Sequence, residues 1–167
     1  MKLDTKGIAI LAFIAGIVAF FLLSPNQGLQ SIPPATNIQT IDGKTIELDS
    51  LKGKPYLLTF WSVTCPGCVG EIPHLIELEK KMQGTGFQVI GVAMSYDTPP
   101  EIKAMQEKKG MNYTIAYDQS GELASKFDIR VTPTSFMITA DGKIKTRKMG
   151  EWDPAELEQT AREMLKG

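Results

Sequence analysis

The only two cysteines of this chain, Cys65 and Cys68, stand two residues apart in Trp61-Ser62-Val63-Thr64-Cys65-Pro66-Gly67-Cys68, directly after the apolar run Tyr56-Leu57-Leu58-Thr59-Phe60. The run reads as a buried strand and the residues beyond the cysteines carry helical spacing, so the pair falls where a strand gives way to a helix. A C-x-x-C at such a junction reads as a dithiol redox site. The first turn of the helix presents unpaired N–H groups and the positive end of the macrodipole, both of which stabilise a thiolate. Cys65 is therefore expected to be the exposed nucleophile, and Cys68, one turn further in, the shielded thiol that closes the disulfide.

Two other uses of the pair compete with this one. A structural zinc takes four ligands of Cys or His type, whereas the chain offers two cysteines and the single histidine His74; a closed site within one chain would need a carboxylate as well, and no resident metal is expected. An inert bridge is the other, but closing so short a loop removes little entropy from the unfolded chain.

The N-terminus, residues 1–6, holds Lys2 and Lys6, and residues 7–23 follow as an uncharged apolar run; no further charge occurs before Asp42. The run is at the short end of what spans a bilayer core, and lysines ahead of it place residues 1–6 in the cytoplasm and the rest outside. A cleaved signal peptide has a similar start, but Leu22-Leu23-Ser24-Pro25-Asn26 lacks a small-x-small cleavage site, which favours an uncleaved anchor. Residues 24–35, rich in Ser, Pro, Asn, Gln and Gly, read as a tether. The remaining 36–167, about 130 residues, suit one domain around one core. The formal net charge is −1, with no basic stripe for nucleic acid and no acidic tail. A cysteine pair outside the cytoplasm meets an oxidising compartment, where a dithiol stays reduced only if something supplies electrons.

Along 36–167, alternation from Thr36 to Leu48 around Asp42-Gly43 predicts a hairpin. Strands are expected at 56–60 and 87–94, a helix from about Cys65 to Met82, and a second helix from Thr98-Pro99-Pro100 to Lys109. A short strand holds Ile115 and Tyr117, and 122–127 reads as helical. Segments 135–139 and 143–149 pair across Asp141-Gly142, and Asp153-Pro154 caps a final amphipathic helix. The order predicts a mixed α/β sheet with helices on both faces, its early strands parallel and its last two antiparallel.

With these elements in place, residues 36–167 resemble the thioredoxin fold, and more narrowly the membrane-anchored TlpA/ResA-like thiol–disulfide oxidoreductases. The resemblance rests on Phe60-Trp61-Ser62-Val63-Thr64-Cys65-Pro66-Gly67-Cys68; on Pro73, at the position of the family's kinking proline; on Val131-Thr132-Pro133-Thr134, similar to its cis-proline loop; and on the two turns Asp42-Gly43-Lys44 and Asp141-Gly142-Lys143. Pro73 lacks the N–H that would bond the Val69 carbonyl, so it bends the helix or ends it. The resemblance implies that Pro133 lies against Cys65 and leaves the Thr132 backbone to pair with an extended substrate chain. Glu71 matches a glutamate associated with the family's active site; a partly buried carboxylate there has a raised pKa and can exchange a proton with Cys68. A solvated helix glutamate is its bland alternative.

The chain departs from thioredoxin in three places. Thr59 stands where thioredoxin has a buried acid, which makes Glu71 the better proton carrier. Thr64 replaces the usual tryptophan, which opens the rim, and Pro66-Gly67 reverses the order of the dipeptide that helps set the potential. The threonine and proline of the peroxiredoxin pattern are also absent, Ser62 and Leu58 standing there instead. His74 is a helix-surface residue or one that tunes the site.

The expected catalytic residues are Cys65, Cys68 and Glu71, with Trp61, Pro66, Gly67, Thr132 and Pro133 around the substrate and no cofactor required. The resemblance implies a domain held outside a bacterial cytoplasmic membrane that reduces disulfides in proteins such as apocytochrome c, with electrons from a membrane thiol donor. A copper-binding module using Cys65, Cys68 and His74 and a disulfide-donating oxidase remain as alternatives, since one fold supports several functions.

Overall fold

The computed structural model describes residues 30–166 together with Phe13, Ile14 and Gly16. The anchor expected at 7–23 therefore lies almost wholly outside the described residues, as does the first half of the tether. Among the described residues, no helix is long and apolar enough to cross a membrane.

From residue 30 to 166, seven strands and four α-helices follow in the order β1 (Asn37–Gln39), β2 (Thr45–Glu47), β3 (Tyr56–Trp61), α1 (Pro66–Lys81), β4 (Gln88–Ala93), α2 (Pro99–Lys109), β5 (Thr114–Tyr117), α3 (Glu122–Lys126), β6 (Thr134–Ile138), β7 (Ile144–Met149) and α4 (Pro154–Met164), with a single 3-10 turn at Leu48–Leu51 between β2 and β3. The main sheet has the order β5-β4-β3-β6-β7. β3 pairs parallel with β4, and β4 with β5, because each connection passes through a helix; β3–β6 and β6–β7 are antiparallel. This is the expected mixed thioredoxin-like sheet. β1 and β2 form the expected hairpin beside it, and Gly43, at φ 82°, takes the left-handed conformation its turn requires.

β3 is buried along its whole length, as a central strand covered on both faces must be. Its side chains alternate between two cores. Leu57 and Trp61 face Ile72, Leu75 and Leu78 of α1, Ile102 of α2 and Leu157 and Ala161 of α4. Tyr56, Leu58 and Phe60 face the other way, toward Leu123, Ala124 and Phe127 around α3 and Ile38 of the hairpin. On that second face Phe60, Phe127 and Phe136 pack as an aromatic cluster with ring centroids 5.1 to 6.1 Å apart.

The chain joins the fold before Thr36. The Ile144 N–H donates to the Gln30 carbonyl (2.7 Å) and the Ile32 N–H to the Gly142 carbonyl (3.1 Å), so residues 30–32 run beside the start of β7, with Ile32 buried. β7 is an edge strand, and its unpaired backbone groups recruit whatever chain passes near them.

Candidate active site

β3 ends at Trp61, and Ser62-Val63-Thr64 carry the chain over the top of the sheet to Cys65, the N-cap of α1, with Pro66 at the first helical position. A buried aspartate that the sequence reading did not single out holds this bend. Asp97, 2% exposed, accepts hydrogen bonds from Ser62 Oγ (2.7 Å) and from the Val63 N–H (3.1 Å). Ser62 Oγ in turn accepts from the Thr64 N–H (3.2 Å) and the Ser62 carbonyl accepts from the Cys65 N–H (3.2 Å). The N–H groups of Val63, Thr64 and Cys65 are thereby tied to Ser62 or to the loop after β4. Nothing local in the sequence marks Asp97 for this, since its partners lie some thirty-five positions away.

Cys65 and Cys68 form a disulfide with Cα atoms 5.2 Å apart. The two sulfurs differ in access as expected: Cys65 is half-buried, whereas Cys68 is 3% exposed. Cys65 Sγ accepts from the Cys68 N–H (3.2 Å), the helix-start donor that a thiolate at Cys65 would use. The same sulfur lies 3.4 Å from the Thr132 carbonyl. The Thr132–Pro133 peptide is cis, as the resemblance implied, with Pro133 buried, Thr132 half-buried and Val131 exposed. Among the described residues no hydrogen bond occupies the Thr132 N–H, which leaves a backbone edge beside the reactive sulfur.

Glu71, one turn after Cys68 on the inner face of α1, is buried at 2% exposure rather than solvated. Its Oε1 accepts the Trp152 N–H at 2.8 Å. Burial pushes the carboxyl up from 4.5 to about 7; the Trp152 hydrogen bond offsets part of this, the Glu151 charge adds to it and the Lys148 charge reduces it. The group can therefore hold or release a proton near neutral pH. The position of thioredoxin's acid is filled by Thr59, also buried, whose Oγ1 accepts from Ser135 Oγ (2.8 Å). That pair is satisfied and does not titrate, so of these two positions only Glu71 carries an acid.

The other expected residues sit as follows. Trp61 is buried at 4% exposure and packs under the site, against Gly91 and Tyr113. Pro66 is exposed on the rim. Gly67 is half-buried beneath Glu151, a carboxylate the sequence reading also passed over. The glycines at 67 and 70, one turn apart, were the available hint that something packs closely there. His74 is exposed on α1, in a groove lined by Lys81, Leu157 and Glu158, and among the described residues no three His, Cys, Asp or Glu side chains converge as a metal site. A cleft of about 500 Å³, lined by Ile38, Tyr117, Asp118 and Leu123, lies on the other face of the sheet and includes neither cysteine.

The profile of the AhpC/TSA family matches residues 30–147. A thiol–disulfide oxidoreductase ResA of Bacillus thuringiensis (strain Al Hakam) is 30% identical over 157 residues, covering 90% of each chain. A ResA of Bacillus cereus (strain ATCC 10987 / NRS 248) is 30% identical over 158 residues, covering 91% of each. Among solved structures, a thiol:disulfide interchange protein of the thioredoxin family from Chlorobium tepidum TLS superposes with a TM-score of 0.76 at 28% identity, covering 84% of this chain and 99% of its own. A half-exposed sulfur paired with a shielded one at a helix start is what thiol–disulfide exchange needs, and the chain belongs to the AhpC/TSA family as a ResA-like thiol–disulfide oxidoreductase.

Proposed function

We propose that this protein is a reductase of protein disulfides, tethered by residues 7–23 to the outer side of a bacterial cytoplasmic membrane, that acts on apocytochrome c and draws electrons from a membrane thiol donor. The observation that carries the reading is the asymmetry of the pair: Cys65 is half-exposed beside the free edge at Thr132, whereas Cys68 is buried one turn from a carboxyl poised near neutral pH.

In the reducing direction the Cys65 thiolate attacks one sulfur of the substrate disulfide. The substrate S–S bond breaks, its other sulfur leaves as a thiolate and takes up a proton from solvent, and Cys65 is left in a mixed disulfide. Cys68 then gives its proton to Glu71 and attacks Cys65 Sγ; the second substrate sulfur leaves and takes up that proton. The substrate has gained two electrons and the protein has lost them, ending in the Cys65–Cys68 disulfide. Pro133 and Thr132 hold the substrate chain as an added strand, Pro66 and Gly67 form the rim it crosses, and Trp61 supports the turn from below. Membrane tethering and apocytochrome c rest on the apolar N-terminal run and on the family resemblance.

The test is a trapping experiment with the full chain. Cys68→Ala should accumulate a mixed disulfide between Cys65 and disulfide-containing apocytochrome c, released by dithiothreitol and absent when Cys65 is also replaced; no adduct would remove that substrate. The direction follows from the reduction potential of the pair. A value of about −270 mV or lower is expected for a reductase, and one near about −120 mV would make the protein a disulfide donor instead.

A further inference from the structure

The loop between β7 and α4 crosses the first turns of α1, and the carboxylate it carries at Glu151 has no part in the exchange steps above. A β-carbon built on Gly67 would lie 2.7 Å from Glu151 Oε1 and 3.2 Å from its Cδ; one on Gly70 would lie 3.5 Å from Oε2. Gly67 and Gly70 thus leave a strip of bare helix backbone, and the carboxylate settles into it against Gly67, one of the two residues between the cysteines. The loop is held at both ends of this contact. The Gly150 N–H donates to the Pro133 carbonyl (2.8 Å) and the Trp152 N–H donates to Glu71 (2.8 Å). Glu151 is therefore delivered to the helix start by the same two elements that flank the disulfide.

A negative charge at a helix N-terminus is attracted by the same field that stabilises a thiolate there, and it repels a second negative charge close by. Its push on Glu71 shows that this charge reaches the buried side of α1. The other charged groups offset it only in part: Lys148, the nearby cation, acts on Glu71 less strongly than Glu151 does, bonds Glu156 (2.9 Å) and lies over the Trp152 ring at 5.2 Å, and Tyr113 is held neutral by burial.

We propose that Glu151, seated on Gly67 and Gly70, is a positioning residue that sets the reducing strength of the Cys65–Cys68 pair. Its charge disfavours the Cys65 thiolate, and with it the reduced state, so the dithiol gives up its electrons more readily. The converse is the rule by which a stabilised reduced form makes a strong oxidant. The inference rests on Cys65 being the attacking thiol.

The experiment is a glutathione redox titration of the full chain, combined with a pH titration of Cys65 by thiolate absorbance, in a two-by-two set of Glu151→Gln and Gly67→Ala. Glu151→Gln keeps the packing and removes the charge. It should shift the exchange equilibrium toward the reduced protein by about tenfold, or about 30 mV for this two-electron couple, and move the Cys65 titration to lower pH. Gly67→Ala places a methyl where the carboxylate rests and, because only the flexible end of Glu151 must yield, should shift the potential the same way. That shift should shrink in the Glu151→Gln background, where no charge is left to displace. An unchanged or more negative potential in Glu151→Gln, or equal effects of Gly67→Ala in both backgrounds, overturns the proposal. Exchange that survives replacement of Cys65 would instead remove the mechanism on which it rests.

Discussion

At the scale of single residues, Glu71 carries the most consequence. A carboxyl buried to this degree is tolerated because the Trp152 N–H satisfies one oxygen and because the group can remain protonated. Its pKa is raised from 4.5 to about 7 on folding. Below the unfolded value both states are protonated and the residue costs nothing. Between about 4.5 and about 7 the unfolded chain ionises first, so the folded state binds more protons and stability falls as pH rises; above about 7 the loss is complete. The full cost is on the order of 3 kcal/mol. Glu71→Gln keeps an acceptor for Trp152 and cannot ionise, so urea unfolding should find it more stable than the parent at pH 8 by about 1–3 kcal/mol and equal to it within error at pH 4. The same variant should slow release of the mixed disulfide by about tenfold to a hundredfold near pH 7, measured by stopped flow, because Cys68 loses its proton acceptor. Spacing along a helix was enough to put Glu71 on the same side as the pair. Its burial followed from the family resemblance and not from that spacing, because the chain that covers it comes from Trp152, 81 positions later.

At the scale of elements, the β3–α1 junction works because its loop is pinned from outside. Asp97 accepts from Ser62 and Val63 across the top of the sheet, and removing the carboxylate orphans the Val63 N–H and leaves Ser62 Oγ only Thr64 Oγ1 as a side-chain partner (3.0 Å). Asp97→Ala should therefore cost about 2–4 kcal/mol in urea unfolding and, by loosening Cys65, lower the rate of insulin disulfide reduction by at least about tenfold. Ser62→Ala leaves the Val63 bond in place and should cost about 1 kcal/mol. α1, predicted by its apolar spacing from about Cys65 to Met82, spans Pro66–Lys81. It continues through Pro73 to Lys81, so the proline sits inside the helix rather than ending it. α4 was equally plain, with Asp153 Oδ1 accepting from the Ala155 and Glu156 N–H groups (2.9 and 3.1 Å). Asp97 itself reads in sequence as one more polar loop residue between a strand and a helix.

At the scale of the whole molecule, the N-terminal segment and the redox pair sit at opposite ends of the sheet. Residues 30–32 bond to Gly142 and Ile144, beside the hairpin where β6 ends and β7 begins. Cys65 lies beyond the other end of β3, where Phe60 pairs with Thr134. The docked segment also belongs to the stability of the domain. A chain starting at residue 30 should melt as the full domain does, whereas one starting at residue 36 loses the buried Ile32 and two backbone hydrogen bonds. That loss should amount to about 2–4 kcal/mol, seen as a lower Tm by circular dichroism.

The chain's own pattern determined the order of elements, the parallel and antiparallel halves of the sheet and the identity of the redox pair. Each depends on short-range regularities: a buried run, a helix cap, an Asp-Gly turn, two cysteines one turn apart. Tertiary structure alone decided the chemistry around that pair. Glu71 became a titrating group because a distant loop removed it from water, Asp97 became a clamp because β4 ends beside β3, and Glu151 came to rest on Gly67 because β7 returns the chain past Pro133. Desolvation and close approach depend on which segments meet in space, and local spacing along a chain carries no record of that.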